Sequence, residues 1–193
     1  LLALLLIIVL ATQVVSASLE LAFQHQLSEA YPKRDAQNAF SGMYFAYLNG
    51  AAFVMQFLVA PLVLRFVPLR MVHIVMPAAH IAAASFLFQS PALFSAGLAY
   101  MLFKTFDYSL FRAAKEILYI PFSFDVRYRS KEIIDVFGYR FGKGGMALAI
   151  KMIEQAKVVF TDGVFACIAA GAAAVWLVLG VPATKKKDSE RGV

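Results

Sequence analysis

Six blocks of mostly apolar residues, each about 20 residues long, follow one another along the 193-residue chain. A helix needs about 20 such residues to cross the hydrocarbon core of a bilayer. Hydrophobic residues make up 61% of the chain and charged residues 16%, a balance that excludes a disordered chain and is not typical of a soluble domain. We therefore predict an all-α, polytopic membrane protein with six transmembrane helices. The predicted spans are Leu1–Gln24, Phe40–Leu64, Met71–Gln89, Pro91–Leu110, Ile133–Ile153 and Val158–Val181.

The six spans are predicted to form one transmembrane domain, residues 1–182. The polar stretch 183–193 that follows is predicted to be a disordered, basic cytoplasmic tail. The first block is apolar from Leu1 onward, without the positive flank and cleavage site of a signal peptide. We therefore expect the sequence to begin inside a helix and to be part of a longer protein.

Lysine and arginine residues are distributed unevenly between the loops. The second and fourth loops and the tail hold most of them, whereas Glu29 and Asp35 offset Lys33 and Arg34 in the first loop. Because loops rich in Lys and Arg stay in the cytoplasm, both termini are predicted to be cytoplasmic. The net charge of +6 then reflects this bias and anchoring at anionic lipid headgroups, and we expect no binding of nucleic acid.

The fourth predicted span carries charges that a hydrocarbon core disfavours. Its polar residues fall on one face of about 140° at about 100° per residue: Lys104, Asp107, Tyr108, Arg112 and Lys115. Ionisable residues at membrane depth usually face the interior of a helix bundle or a water-filled path. Lys104 and Asp107 are three residues apart, a spacing that allows them to pair.

The fifth predicted span repeats this arrangement. Its polar residues gather on one side: Glu132, Asp135, Tyr139, Arg140 and Lys143. Beside them lies a stripe of small residues: Gly138, Gly142, Gly145 and Ala149. Such a stripe lets a neighbouring helix approach closely within a membrane. In the first span Glu20 is a carboxylate that needs a cationic partner, water or a proton.

We interpret the charged residues of the fourth and fifth spans as the lining of a polar cavity that binds an anion. The alternative is that Arg140 and Lys143 pair with Asp107, Glu132 or Asp135 and only hold the bundle together. The spacing alone leaves both interpretations open for each individual residue.

The sequence offers no motif for catalysis or for a metal cluster. Cys167 is the only cysteine, and His25 lies far from His73 and His80, which share one face of the third span as polar packing or as part of a cavity. The stretch 138–143 is similar to a P-loop but is one residue short and lacks the Ser or Thr that follows the lysine. We therefore expect no enzyme, no bound metal and no cofactor.

Three stretches carry a resemblance to a known family: Lys115–Pro121, Lys131–Val136 and Tyr139–Lys143. Their residues and spacing resemble the signature of the ATP/ADP translocase (nucleotide transporter) family of plastids and obligate intracellular bacteria. The region around Glu20, Gln26 and Tyr31-Pro32 is similar to the start of that family's second half. Ile117-Leu118 and Phe122 depart from the family pattern.

The resemblance implies a fold like that of the major facilitator superfamily, with two six-helix halves of which this chain is similar to the second. It implies exchange of ATP for ADP, or transport of another nucleotide or phosphate-bearing anion, by alternating access in a bacterial inner membrane or an organelle envelope. The residues that would bind the substrate are Lys104, Lys115, Tyr139, Arg140 and Lys143. The acidic residues that would hold these cations or form gating pairs are Glu20, Asp107, Glu116 and Asp135.

The partner implied by the resemblance is an N-terminal half that supplies the other wall of the cavity. The alternative functions are a carrier of another phosphate-bearing anion, and a membrane subunit that kept the fold, no longer transports and packs within a larger complex.

Overall fold

The computed structural model describes residues 1–138, 140, 142, 144, 145, 148 and 161–191, with side chains up to Thr184 in the last helix. Every regular element in these ranges is helical, and three short π-helical segments interrupt the α-helices. The elements are α1 (Leu2–Ala30), α2 (Arg34–Val54), π1 (Met55–Val59), α3 (Ala60–Phe66), α4 (Leu69–Gln89), α5 (Leu93–Phe106), π2 (Asp107–Phe111), α6 (Arg112–Tyr119), α7 (Phe124–Glu132), π3 (Ile133–Phe137) and α8 (Asp162–Arg191).

Four of the described helices are long and apolar enough to cross a membrane. They are Leu2–Ala30, Arg34–Phe66, Leu69–Gln89 and Asp162–Thr184. These helices correspond to the first, second, third and sixth predicted spans. The prediction of an all-α, polytopic membrane protein is therefore confirmed.

The fourth predicted span is also helical, because α5, π2 and α6 follow one another without a break. It is not among the four helices named above because its charged residues make it less apolar. Only the start of the fifth predicted span, mainly π3 and Gly138, is described continuously, and most of that span lies outside the described residues. The total of six spans therefore stays a prediction.

Proline explains where two of the helices end. Tyr31 precedes Pro32 and Val67 precedes Pro68, and both have extended backbone dihedrals at the ends of α1 and α3. A proline ring pushes the preceding residue out of the α region by steric contact. Pro77, in contrast, lies inside α4 without ending that helix.

The last helix is longer than predicted. The sequence suggests an end near Val181 and a disordered tail from residue 183, whereas α8 continues through Pro182 to Arg191. The hydroxyl of Thr184 donates to the carbonyl oxygens of Gly180 at 3.0 Å and Val181 at 3.2 Å. The Lys and Glu residues that follow are good helix formers, so polarity alone did not locate the end of the helix.

Helix α1 is buried on several sides and contacts both α5 and α8. Two apolar clusters form the core along its length. One contains Leu19 and Phe103, and the other contains Ile8, Leu118 and Trp176. Burial all round explains why α1 is apolar on every face except for a few small or polar positions.

Small residues allow α8 to pack closely on its neighbours. Ala166, Ala169 and Ala173 are buried in the core. A Cβ atom on Gly180 would lie 3.1 Å from the carbonyl oxygen of His73 in α4. Inside a membrane, no hydrophobic driving force brings helices together. Small side chains instead let the helix backbones approach to van der Waals contact, which stabilises the packing.

The two histidines of α4 belong to this core, as the packing interpretation of their shared face predicts. His73 Nδ1 accepts a hydrogen bond from the indole N–H of Trp176 at 3.5 Å. The His80 ring packs against the rings of Phe103, Phe106 and Trp176, with centroid distances of 5.0, 5.8 and 5.6 Å.

Two residues of the predicted small-residue stripe allow the start of the fifth span to pack closely against α1. A Cβ atom on Gly138 would lie 2.8 Å from Val9 Cγ1, and one on Gly142 would overlap the Gln13 side chain. Gly145 faces open space and does not extend the contact. Ala149, the fourth member of the predicted stripe, lies outside the described residues.

Candidate functional site: a buried lysine between two tyrosines

Lys104 lies in the last turn of α5, and only 6% of its surface is exposed. Its Nζ atom donates a hydrogen bond to the hydroxyl of Ser16 in α1 at 3.1 Å. The same atom lies 5.5 Å from the ring centroid of Tyr100 and 5.4 Å from that of Tyr108. The ammonium group is thus held by one neutral oxygen and the faces of two aromatic rings.

Lys104 forms no ion pair among the residues that the structure describes. The ion pair with Asp107 that the spacing allows is therefore not among the contacts of Lys104 with the described residues, and the assignment of Asp107 to charge pairing stays a prediction. Asp107 is itself buried and is the first residue of π2, where the change in helical repeat alters the direction of the side chains. A rotation of 100° per residue does not hold across such a segment.

Arg112 adds a second cation to this face. Its guanidinium carbon lies 5.8 Å from the ring centroid of Tyr108, so Lys104 and Arg112 both contact the same ring. Lys104 is buried and Arg112, the first residue of α6, is exposed. The predicted face of the fourth span therefore does bring Lys104, Tyr108 and Arg112 together, although π2 lies between the two cations.

Glu20 is the carboxylate of this region. It lies on α1 one turn after Ser16 and near Tyr100, and it forms no ion pair with a cation of the described residues. This region therefore combines a buried ammonium group, a carboxylate near a phenol and, on the ring of Tyr108, an exposed guanidinium group. We call Ser16, Glu20, Tyr100, Lys104 and Tyr108 the Lys104 site.

A second charged region lies where α6 meets α7 and π3. Lys115 is 2% exposed, and its Nζ atom lies 2.5 Å from Asp135 Oδ1. Lys131 Nζ lies 2.8 and 2.9 Å from the two carboxylate oxygens of Glu116. Both pairs join the fourth span to the segment that leads into the fifth. We call these four residues the paired region.

Arg127 stabilises the turn between α6 and α7. Its guanidinium group donates to the carbonyl oxygen of Tyr119 at 3.1 Å and to that of Ile120 at 2.6 Å. These carbonyl groups stand at the end of α6, where the helix leaves them without backbone donors. A cation is also favoured there by the helix dipole.

The remaining predicted site residues belong to the fifth span. Arg140 is exposed, and Tyr139 and Lys143 lie outside the described residues. Their assignment to the substrate site stays a prediction.

Ser16 and Tyr100 were not predicted as site residues. Tyr100 is one turn before Lys104, and Ser16 is one turn before Glu20, so both lie on faces that had already been singled out. A search for hydroxyl and aromatic groups at i−4 from each buried charge finds both. Single-sequence patterns do not reveal that α1 and α5 meet at these two positions.

The fold and this site define a class: a polytopic α-helical membrane protein that keeps a lysine ammonium group inside the bundle, between aromatic rings. Residues 92–182 match a family model described as TLC ATP/ADP transporter. The resemblance predicted from the stretch Lys115–Lys143 is thereby confirmed: residues 92–182 are similar to the ATP/ADP translocase family.

A second comparison agrees with the family match. A stretch of 78 residues is 31% identical to ADP,ATP carrier protein 4 of Rickettsia bellii (strain RML369-C). This match covers 39% of the present chain and 15% of that relative. No solved structure matches the chain significantly.

Proposed function

We propose that the chain is part of a membrane carrier that exchanges nucleotides, ATP and ADP first among them, by alternating access between two six-helix halves. The family of residues 92–182 supports nucleotide transport. In this proposal the chain supplies the second half, both termini are cytoplasmic, and an N-terminal half supplies the opposite wall of the cavity.

The observation that carries this proposal is the Lys104 ammonium group. A buried charge is costly unless it is paired, and the described residues give Lys104 a hydroxyl and two rings but no carboxylate. A nucleotide phosphate is the partner that would complete the site. A phosphate oxygen makes short, charge-assisted hydrogen bonds with an ammonium group.

The neighbours of Lys104 fit the other parts of a nucleotide. Tyr108 can offer a face to the base, and Arg112, on the same ring, can bind a second phosphate group in a forked geometry. We also assign Arg140, Lys143 and Tyr139 to the substrate side of the cavity on the strength of the resemblance.

The paired region has a different role in the proposal. Lys115, which the resemblance implies as a substrate-binding residue, is assigned to this region instead because its Nζ atom contacts Asp135. Lys115 with Asp135, and Lys131 with Glu116, would form gating pairs that break and reform as the cavity opens toward one side and then the other. Glu20, which lies near Tyr100, would pair with Lys104 whenever the substrate leaves. Asp107 would likewise be a gating or charge-pairing residue near π2.

The test is exchange by the full-length carrier in proteoliposomes. Uptake of labelled ATP should depend on internal ADP and should fall to background in Lys104→Ala. Lys33→Ala, at an exposed position in the first loop, is the matched control and should exchange like the wild type. Uptake of inorganic phosphate in place of nucleotides would indicate a carrier of another anion. Absence of exchange, together with stable co-purification with one larger complex, would replace the proposal with the non-transporting subunit.

A further inference from the structure

Three side chains converge where α1 ends and α8 begins. His25 and Glu29 are one turn apart on α1, and Asp162 is the first residue of α8. One nitrogen or oxygen atom from each lies within 4.8 Å of the other two. His25 Nδ1 is 3.1 Å from Asp162 Oδ1, and His25 Nε2 is 3.9 Å from Glu29 Oε1.

Gln26 holds the two carboxylates in this arrangement. Its Nε2 atom donates to Asp162 Oδ2 at 2.7 Å and to Glu29 Oε2 at 3.0 Å. The amide therefore occupies one oxygen of each carboxylate, while Oδ1 and Oε1 remain on the side of the His25 ring. Outer-shell hydrogen bonds of this kind orient carboxylates and imidazoles that bind metal ions.

The two carboxylates give the cluster a negative charge that a bound cation would neutralise. Asp162 is 7% exposed, and Glu29 lies close by, so two carboxylates share one end of the bundle. Among the described residues, neither carboxylate forms an ion pair with a lysine or an arginine. Within the described part of the chain, the polar side chains that contact them are those of His25 and the neutral Gln26.

We propose that His25, Glu29 and Asp162 form a binding site for a divalent transition-metal ion, with Zn²⁺ as the best fit. One imidazole nitrogen and two carboxylate oxygens make a donor set that suits Zn²⁺, with a remaining position for water. The ion would neutralise the two carboxylates and join α1 to α8. The site is separate from the Lys104 site, and the inference does not depend on the proposed function.

The sequence alone does not reveal this site, because its two parts are 137 residues apart along the chain. The pair His25 and Glu29 has the spacing of metal ligands on one helix face, but two ligands are not a site. Asp162 becomes the third only when α8 packs beside α1.

The test is isothermal titration calorimetry of the purified full-length protein in detergent with ZnCl₂, together with thermal unfolding with and without ZnCl₂. We expect one bound ion per chain and a rise in the midpoint of thermal unfolding. His25→Gln, which keeps a hydrogen-bonding side chain, should weaken this binding on the order of 100-fold. Glu29→Gln, at an exposed position, should weaken it as well without loss of folding, and Asp35→Asn in α2 is the control that should bind like the wild type.

Two results would overturn the inference. The first is a wild-type protein that takes up no zinc. The second is zinc uptake of equal affinity and stoichiometry in His25→Gln and Glu29→Gln. The cluster would then be a hydrogen-bonded contact between two helices and nothing more.

Discussion

Two lysines of the same helical run, Lys104 and Lys115, are almost equally buried but have opposite surroundings. Lys115 has a carboxylate partner in Asp135, and the neighbouring Lys131 and Glu116 form a second pair beside it. Lys104 has the Ser16 hydroxyl and the faces of two tyrosines. The two environments lie about three helical turns apart along α5, π2 and α6.

Under the proposed function, this difference separates a lysine that stabilises the fold, Lys115, from a lysine that binds a ligand, Lys104. A buried ion pair that is complete adds little stability but becomes costly when one partner is removed. A buried cation without a carboxylate is a cost that the folded protein carries at all times. Such a cost is typical of functional positions, where stability is given up for activity.

The largest expected effect on stability is at Lys115. Lys115→Met leaves the mostly buried Asp135 without its ammonium partner, and we expect the free energy of unfolding to fall by about 3 kcal/mol. The double variant Lys115→Met with Asp135→Leu should recover most of this loss, because the second change removes the orphaned charge. Thermal unfolding in detergent measures both.

The exposed pair supplies the control for this prediction. Lys131 and Glu116 are each 44% exposed, so Lys131→Met should cost less than about 1 kcal/mol. If Lys131→Met destabilised the protein as much as Lys115→Met, burial would not be what distinguishes the two pairs.

The next effect concerns the helix that presents Asp135 to Lys115. Gly142→Ala would drive a methyl group into the Gln13 side chain of α1, and a cost of about 1–3 kcal/mol is expected. Gly144→Ala is the matched control, because nothing lies within 4 Å of a Cβ atom there. Equal thermal midpoints for the two variants would contradict the close packing of this segment on α1.

The smallest expected effect on stability is at Lys104, and it has the opposite sign. Lys104→Met removes a buried charge that has no carboxylate partner in the part of the chain that the structure describes, and it keeps a similar side-chain volume. We expect the free energy of unfolding to rise on the order of 1 kcal/mol. A loss as large as that of Lys115→Met would mean that Lys104 is also part of the structural framework.

Several features of the fold follow from sequence patterns alone. Apolar length located four of the described helices, and the residues before Pro32 and Pro68 end α1 and α3 as proline sterics require. Helical periodicity also placed Lys104, Tyr108 and Arg112 together, because neighbouring turns of one helix stay adjacent whatever packs against them.

Contacts between distant segments were not predictable in this way. Ser16 replaces Asp107 as the partner of Lys104 because α1 packs against α5, and no pattern within α5 contains that information. The end of α8 was misplaced for a different reason: Pro182 and the polarity of the tail suggested an end there, whereas the Lys and Glu residues that follow are good helix formers and the helix continues.

The two lysines can be compared directly by the affinity of the purified full-length protein for ATP in two designs, each of which removes one ammonium group. Lys104→Gln removes the ammonium group of the Lys104 site. Lys115→Gln with Asp135→Asn removes the ion pair of the paired region without changing the net charge. We predict that Lys104→Gln weakens ATP binding by about 10–100-fold, the effect of losing a charge-assisted hydrogen bond, and that the double variant binds within about threefold of the wild type. Full ATP affinity in Lys104→Gln, with loss of binding in the double variant, would contradict this account.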